Sequence, residues 1–130
     1  MQKVFVAAVL FALSNFITAQ VNYIYSDGNS NTYNISETNI SYEPVAKENS
    51  SVGTYIGGEA KTKSVSPKDF EKINTLFKEA FAAKSEQQQN REMMTGLLIH
   101  KKGKKTVEQI ILKPNSVYIG KIDVLLKSLL

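Results

Sequence analysis

The feature that most constrains this chain is a helix signal with a single apolar side, flanked by blocks of alternating sequence. Ser66 can cap exposed amides, Pro67 suits the first helical position, and Asp69 stands where a capping-box acid belongs. Phe70, Ile73, Phe77, Ala80 and Phe81 then recur at helical spacing, with Leu76 widening the stripe. Lys68, Glu71, Lys72, Lys78 and Glu79 fill the other positions. The spacing predicts a helix over about 67–84. Such a stripe must be covered, and the flanking sequence offers a sheet to cover it.

On the N-terminal side, Val21, Tyr23 and Tyr25 alternate with Asn22 and Ile24. Tyr33 and Ile35 alternate with Thr32, Asn34 and Ser36, and Ile40 and Tyr42 with Asn39 and Ser41. Period-two patterns rich in aromatic and β-branched residues predict half-buried antiparallel strands. Asp27 to Asn31 supplies turn residues, and Pro44 ends the third strand or marks an edge. Another strand is expected over Glu59 to Val65. After the helix, the polar run Ser85 to Glu92 reads as a connection. Met94 to His100 and Thr106 to Leu112 read as strands joined by Lys101-Lys102-Gly103-Lys104-Lys105, with Gly103 free to adopt a positive φ. Lys113 to Ser116 breaks the pattern, and Ile119, Ile122, Leu125, Leu126 and Leu129 give a final helix its apolar face. The expected fold is α+β: an open antiparallel sheet of about five strands, with a central amphipathic helix and a C-terminal helix packed on one face.

The first 19 residues read as an export signal. Lys3 gives a positive start, Val4 to Leu13 is unbroken and apolar, and Ala19 and Ile17 stand at −1 and −3 of a cleavage site. The apolar run is shorter than the roughly 20 residues that a span requires, so cleavage is expected to leave no membrane anchor. Residues 20–130 suit one domain, large enough to bury about 65% of its unfolded surface. That core must suffice, because the 130 residues include no cysteine. Neither disulfides nor thiolate metal sites are available, nor is a lipid-modified cysteine.

Charge is uneven. Between Gln20 and Ala60 there are five acidic residues and one lysine, whereas Lys61 to Leu130 holds fourteen basic and seven acidic residues. In an exported protein a basic face points to an acidic polymer, lipid headgroup or acidic protein rather than to nucleic acid. The lysine hairpin, Lys101, Lys102, Lys104 and Lys105, is the sharpest such feature. No aromatic residues interleave there to stack bases, and lysines also guard sheet edges against aggregation.

Catalytic constellations are sparse. Asp27, Asn29 and Asn31 match the first positions of a calcium loop, but Thr32 and Thr38 replace its glycine and bidentate glutamate, and a hairpin turn explains the same residues. His100, the sole histidine, has no cysteine with which to build a zinc site, and no serine occupies a nucleophile elbow. Glu37, Glu43, Glu48 and Glu59 could pair as acid and base only across a cleft, for which a domain this small leaves little room. Gly57-Gly58 lacks the remainder of a phosphate loop. The segment Ala46 to Gly58 is long for a hairpin connection and presents Tyr55 and Ile56, which makes these two residues candidates for a partner surface. N-x-S sequons at Asn34, Asn39 and Asn49 matter only in a eukaryotic secretory pathway.

Several segments resemble small exported proteins of unknown function from flavobacteria and their relatives. They are the Ala19-Gln20 junction, Ile40-Ser41-Tyr42-Glu43-Pro44-Val45, Gly53 to Gly58, and Ile111-Leu112-Lys113-Pro114-Asn115. The resemblance implies a periplasmic or secreted location and transfers no active-site residues. The reading that results is an exported, non-catalytic binding module without cofactor or metal, acting on another exported protein, with a peptidase inhibitor as one specific version. The alternatives are electrostatic attachment to an anionic polymer or membrane surface through the lysine hairpin, and a small hydrolase built around His100.

Overall fold

The computed structural model describes residues 20–45 and 58–130. Seven antiparallel strands form one sheet: β1 (Val21–Ser26), β2 (Thr32–Ile35), β3 (Asn39–Glu43), β4 (Lys61–Ser64), β5 (Gln87–Gln88), β6 (Gly96–Lys102) and β7 (Lys105–Leu112). Their order across the sheet is β4-β3-β2-β1-β6-β7-β5. Helices α1 (Pro67–Ala82) and α2 (Val117–Leu129) both pack on the face that carries Tyr23, Tyr25, Tyr33, Ile35, Ile40, Leu98 and Leu112. The protein is therefore α+β, with its helices on one side of an antiparallel sheet.

The strand count corrects the expectation of about five. The additional pairing comes from the polar run after α1, expected to be a plain connection. Lys84–Glu86 forms a single 3-10 turn, and Gln87 and Gln88 then pair with Leu112 and Ile111. No apolar alternation announces that strand, because only backbone groups and the Gln87 side chain hold it; its amide donates to the Ala80 and Phe81 carbonyls at the end of α1. Another correction concerns β6, which starts at Gly96 rather than Met94. Met94 sits at φ 67°, outside strand geometry, and Thr95 turns its hydroxyl to the Glu92 carbonyl.

Helix α1 begins as its sequence dictates. Ser66 Oγ accepts the Asp69 amide at 3.1 Å, and Pro67 occupies the first turn. Its stripe buries Ile73, Phe77, Ala80 and Phe81. Phe77 stands edge-on to Tyr23 with ring centroids 4.7 Å apart, and Phe70 lies beyond it at 6.3 Å. Truncating Phe77 to Ala would cost about 3–5 kcal/mol, since neither sheet nor helix can collapse into the space.

The β4 edge of the sheet carries protection. All four residues of β4 are exposed, and Lys61 and Lys63 stand among them. At the opposite side the two residues of β5 pair only with Ile111 and Leu112, so Lys105 to Ile110 of β7 form that edge, and Lys105 stands at its start. The β6–β7 turn closes through Gly103 at φ 60°, as its sequence requires, with an irregularity between His100 and Lys101. Among the described residues no helix is long and apolar enough to cross a membrane.

Candidate functional site

The alternation that buries β1 places Tyr23 and Tyr25 two residues apart, under different helices. Tyr23 donates its hydroxyl to Asn74 of α1, and Tyr25 donates to Asp123 Oδ1 of α2 at 2.9 Å. Helix α2 turns Ile122 and Leu126 into the core. One column around the helix, Ile119, Asp123 and Lys127 recur every fourth residue and wall a cavity of about 680 Å³. That volume lies within the usual range for small-ligand sites, about 300–1,000 Å³.

The β1–β2 turn forms the facing wall. Asp27 Oδ1 accepts the amides of Asn29 and Asn31, each at 2.9 Å, and Oδ2 accepts the Asn31 side-chain amide at 3.1 Å. Ser30 closes the turn at φ 67°, and Asn31 Oδ1 accepts the Val45 amide at 2.9 Å. The calcium-like run is thus a hairpin turn whose acid is engaged by its own backbone and neighbour. Tyr33 and Tyr42, with ring centroids 4.9 Å apart, line the sheet side. Glu59, Lys61 and Leu130 stand at the other end.

Electrostatics single out Asp123. Burial is the main cause that holds its carboxyl above the usual carboxylate range; nearby Asp27 adds to this, while the Tyr25 hydroxyl and Lys127 oppose it. Tyr25 and Tyr33 are pushed well above the ordinary phenol range, chiefly by burial, so both stay protonated. Tyr23 is raised to about 12 for the same reason, with a smaller contribution from Glu108. Arg91, pinned by its guanidinium to the Thr95 carbonyl and hydroxyl, is lowered by burial, and the charge of Asp27 partly offsets this.

Of the residues singled out in the sequence, Asp27, Asn29, Asn31 and Glu59 line this cavity, whereas His100 and the lysine hairpin do not. Tyr55, Ile56, Asn49, residues 46–57 as a whole and the export signal in residues 1–19 lie outside the described residues. The four hairpin lysines do not share one surface. Lys102 and Lys105 stand directly opposite each other, Lys101 pairs with Thr106 and projects on the other face, and Lys104 occupies the turn. His100 is half-buried near the end of β6. It stacks on Tyr23 at 5.0 Å, and its Nε2 is buried without a hydrogen-bond partner. Burial first, then the charge of Lys102, holds it below its ordinary range. Asn34 and Asn39 border a shallower hollow of about 380 Å³ on the helix-free face, with Asn22, Ser41 and Lys101.

Sequence reasoning assigned Tyr33 and Tyr42 to strands without a further role and passed over Asp123. One signal could have found it. Asp123 lies four residues after Ile119 and three before Leu126, inside the apolar arc of the final helix, where an acid needs a partner. Comparison of the chain with protein-family models, curated proteins and solved structures finds no match in any of the three.

Proposed function

We propose that this protein is an exported, non-catalytic binding module, and that the cavity beside α2 holds its ligand. The observation that carries the reading is the cavity itself: about 680 Å³, walled by two tyrosines and by a partly buried carboxylate. Pockets that combine aromatic surface with a few fixed polar groups bind organic ligands or a partner's side chain. The export signal and the resemblance to exported proteins support a location outside the cytoplasm. A non-catalytic role is favoured because the groups around the cavity are arranged to hold rather than to react. The Asp27 oxygens are occupied by the turn, and the Tyr25 and Tyr33 hydroxyls are held protonated. His100 packs against Tyr23 and Phe81, under α1 rather than α2.

The test is a fragment screen by heteronuclear NMR on wild type and on Gly120→Leu, which places a side chain into the cavity. Fragments that shift the amides of Tyr33, Ile119 and Asp123 in wild type should lose most of their effect in the variant. A screen in which every hit maps elsewhere, or is unaltered in the variant, removes the cavity as the binding site.

A second reading has its own observation. Lys102 and Lys105 face each other across the hairpin, and like charges in that position repel. An anionic surface or polymer would relieve the repulsion, which keeps electrostatic attachment through Lys101, Lys102, Lys104 and Lys105 in view.

A further inference from the structure

We infer that the cavity beside α2 recognises an ammonium group, seated on the Asp123 oxygen that Tyr25 does not bond, with the Tyr42 ring alongside. The inference rests on the cavity being the binding site and adds the chemistry of what enters it.

Asp123 is the only carboxylate on the α2 wall, and its Oδ1 takes the Tyr25 hydroxyl. Among the described residues the one ion pair is Lys72–Asp69 on α1, so Asp123 has no ion-paired partner there. Lys127, one turn further along α2, eases its charge without pairing. A partly buried carboxylate left in this state gains from any cation that can reach it. Asp27, 7% exposed behind the turn, adds to the negative potential at the inner end. Tyr42, half-buried on the sheet side with the fully buried Tyr33 packed against it, presents aromatic surface, which attracts cations through the negative face of the ring.

An anionic ligand would meet both carboxylates, and a neutral one would leave Asp123 uncompensated. Among the described residues, the remaining charged side chains of the lining are Glu59, Lys61 and Lys127, and both lysines are exposed. A ligand whose ammonium enters first can therefore place an acceptor or acidic group outward against them. Free amines and the lysine side chain of a partner protein share this chemistry.

The probes are benzylammonium, benzyl alcohol, benzoate and Nα-acetyl-lysine methylamide, titrated into the 15N-labelled protein at low salt and followed by NMR. Benzylammonium should shift the cavity amides with affinity about tenfold above benzyl alcohol, the added worth of a charge-assisted contact, and benzoate should be weakest. In Asp123→Asn the two benzyl probes should become equal. In wild type the benzylammonium advantage should also fade on acidification through the Asp123 carboxyl, a readout that needs no variant. Tighter binding of the acetyl-lysine probe than of benzylammonium would point to a partner's side chain, and weaker binding to a free amine. Cavity binding with benzoate equal to or above benzylammonium would overturn the ammonium assignment and leave the cavity reading standing. No cavity shift from any probe would overturn both.

Discussion

Gly120 offers the cleanest perturbation of the site. It lies inside α2 and lines the cavity, yet beyond the helix's own backbone an added Cβ would meet nothing within 4 Å. Glycine in a helix interior costs about 1 kcal/mol relative to alanine, mainly through backbone entropy. Since the new methyl neither clashes nor packs, Gly120→Ala should recover most of that, about 0.5–1 kcal/mol. For a domain of this size the melting temperature should rise by about 4 °C. Gly120→Leu has nearly the same helix propensity, but its side chain occupies ligand space. It should keep the stability gain and lose benzylammonium binding. Gly96 is the control. A Cβ there would stand 3.0 Å from Ile119 Cγ1 and 3.3 Å from Cδ1, so Gly96→Ala should destabilise by about 1–3 kcal/mol through overpacking. Urea unfolding measures all three variants, and calorimetry measures the melting temperatures. A Gly120→Ala variant less stable than wild type would show that the space beside α2 is not open. A Gly120→Leu variant that binds as wild type does would show that the ligand is not seated there.

Tyr25→Phe should destabilise the fold by about 1–2 kcal/mol at pH 8, the worth of a hydrogen bond to a charged, partly solvated acceptor. Asp123 is raised in the fold, so its contribution turns unfavourable as pH climbs from the unfolded carboxyl's range through its own; removing the hydroxyl that favours its charged form should make the loss larger at pH 8 than at pH 4. Equal losses at the two pH values, measured by urea unfolding, would refute the coupling. Replacing Lys101, Lys102, Lys104 and Lys105 with Glu should abolish retention on heparin or anionic vesicles if the hairpin is an anion site, and wild-type retention should fall steeply with salt. Salt-independent retention, or none in the wild type, would leave those lysines as guards of the hairpin tip.

Where side chains carry periodic information, the sequence was legible. The stripe from Phe70 to Phe81 and the cap at Ser66 placed α1 to within two residues of its end, and the alternation of tyrosines placed β1 to β3. Legibility failed where backbone geometry decides. Gln87 and Gln88 form a strand because the chain returns past Leu112, an event with no local pattern. Met94 resembles a strand start until its positive φ is known. The cavity was illegible for a related reason. It is assembled from the β1–β2 turn, β2, β3 and α2, segments separated in the chain, whereas motif reading looks for chemistry within one segment. Tyr55 and Ile56 stood out because they interrupt a polar stretch, and the lysines because four of them fall within five positions. Asp123 is inconspicuous in sequence and becomes significant only once Tyr25 is seen beneath it.

The two tyrosines of β1 permit a comparison within the same fold. Both donate a hydroxyl to a helix above them, and both pairs fix a helix on the sheet. Tyr23 meets Asn74, a neutral amide that satisfies the hydroxyl with no charge to desolvate. Tyr25 meets Asp123, which does the same positional work while holding a charge that burial disfavours, as its raised proton affinity shows. If anchoring α2 were the whole purpose, an amide would serve at position 123 as it does at position 74, and the fold would be more stable above the acid range. Stability set aside at a cavity wall is the usual mark of a functional constraint. What a carboxylate offers there and an amide does not is a full negative charge for a cation arriving from outside the fold.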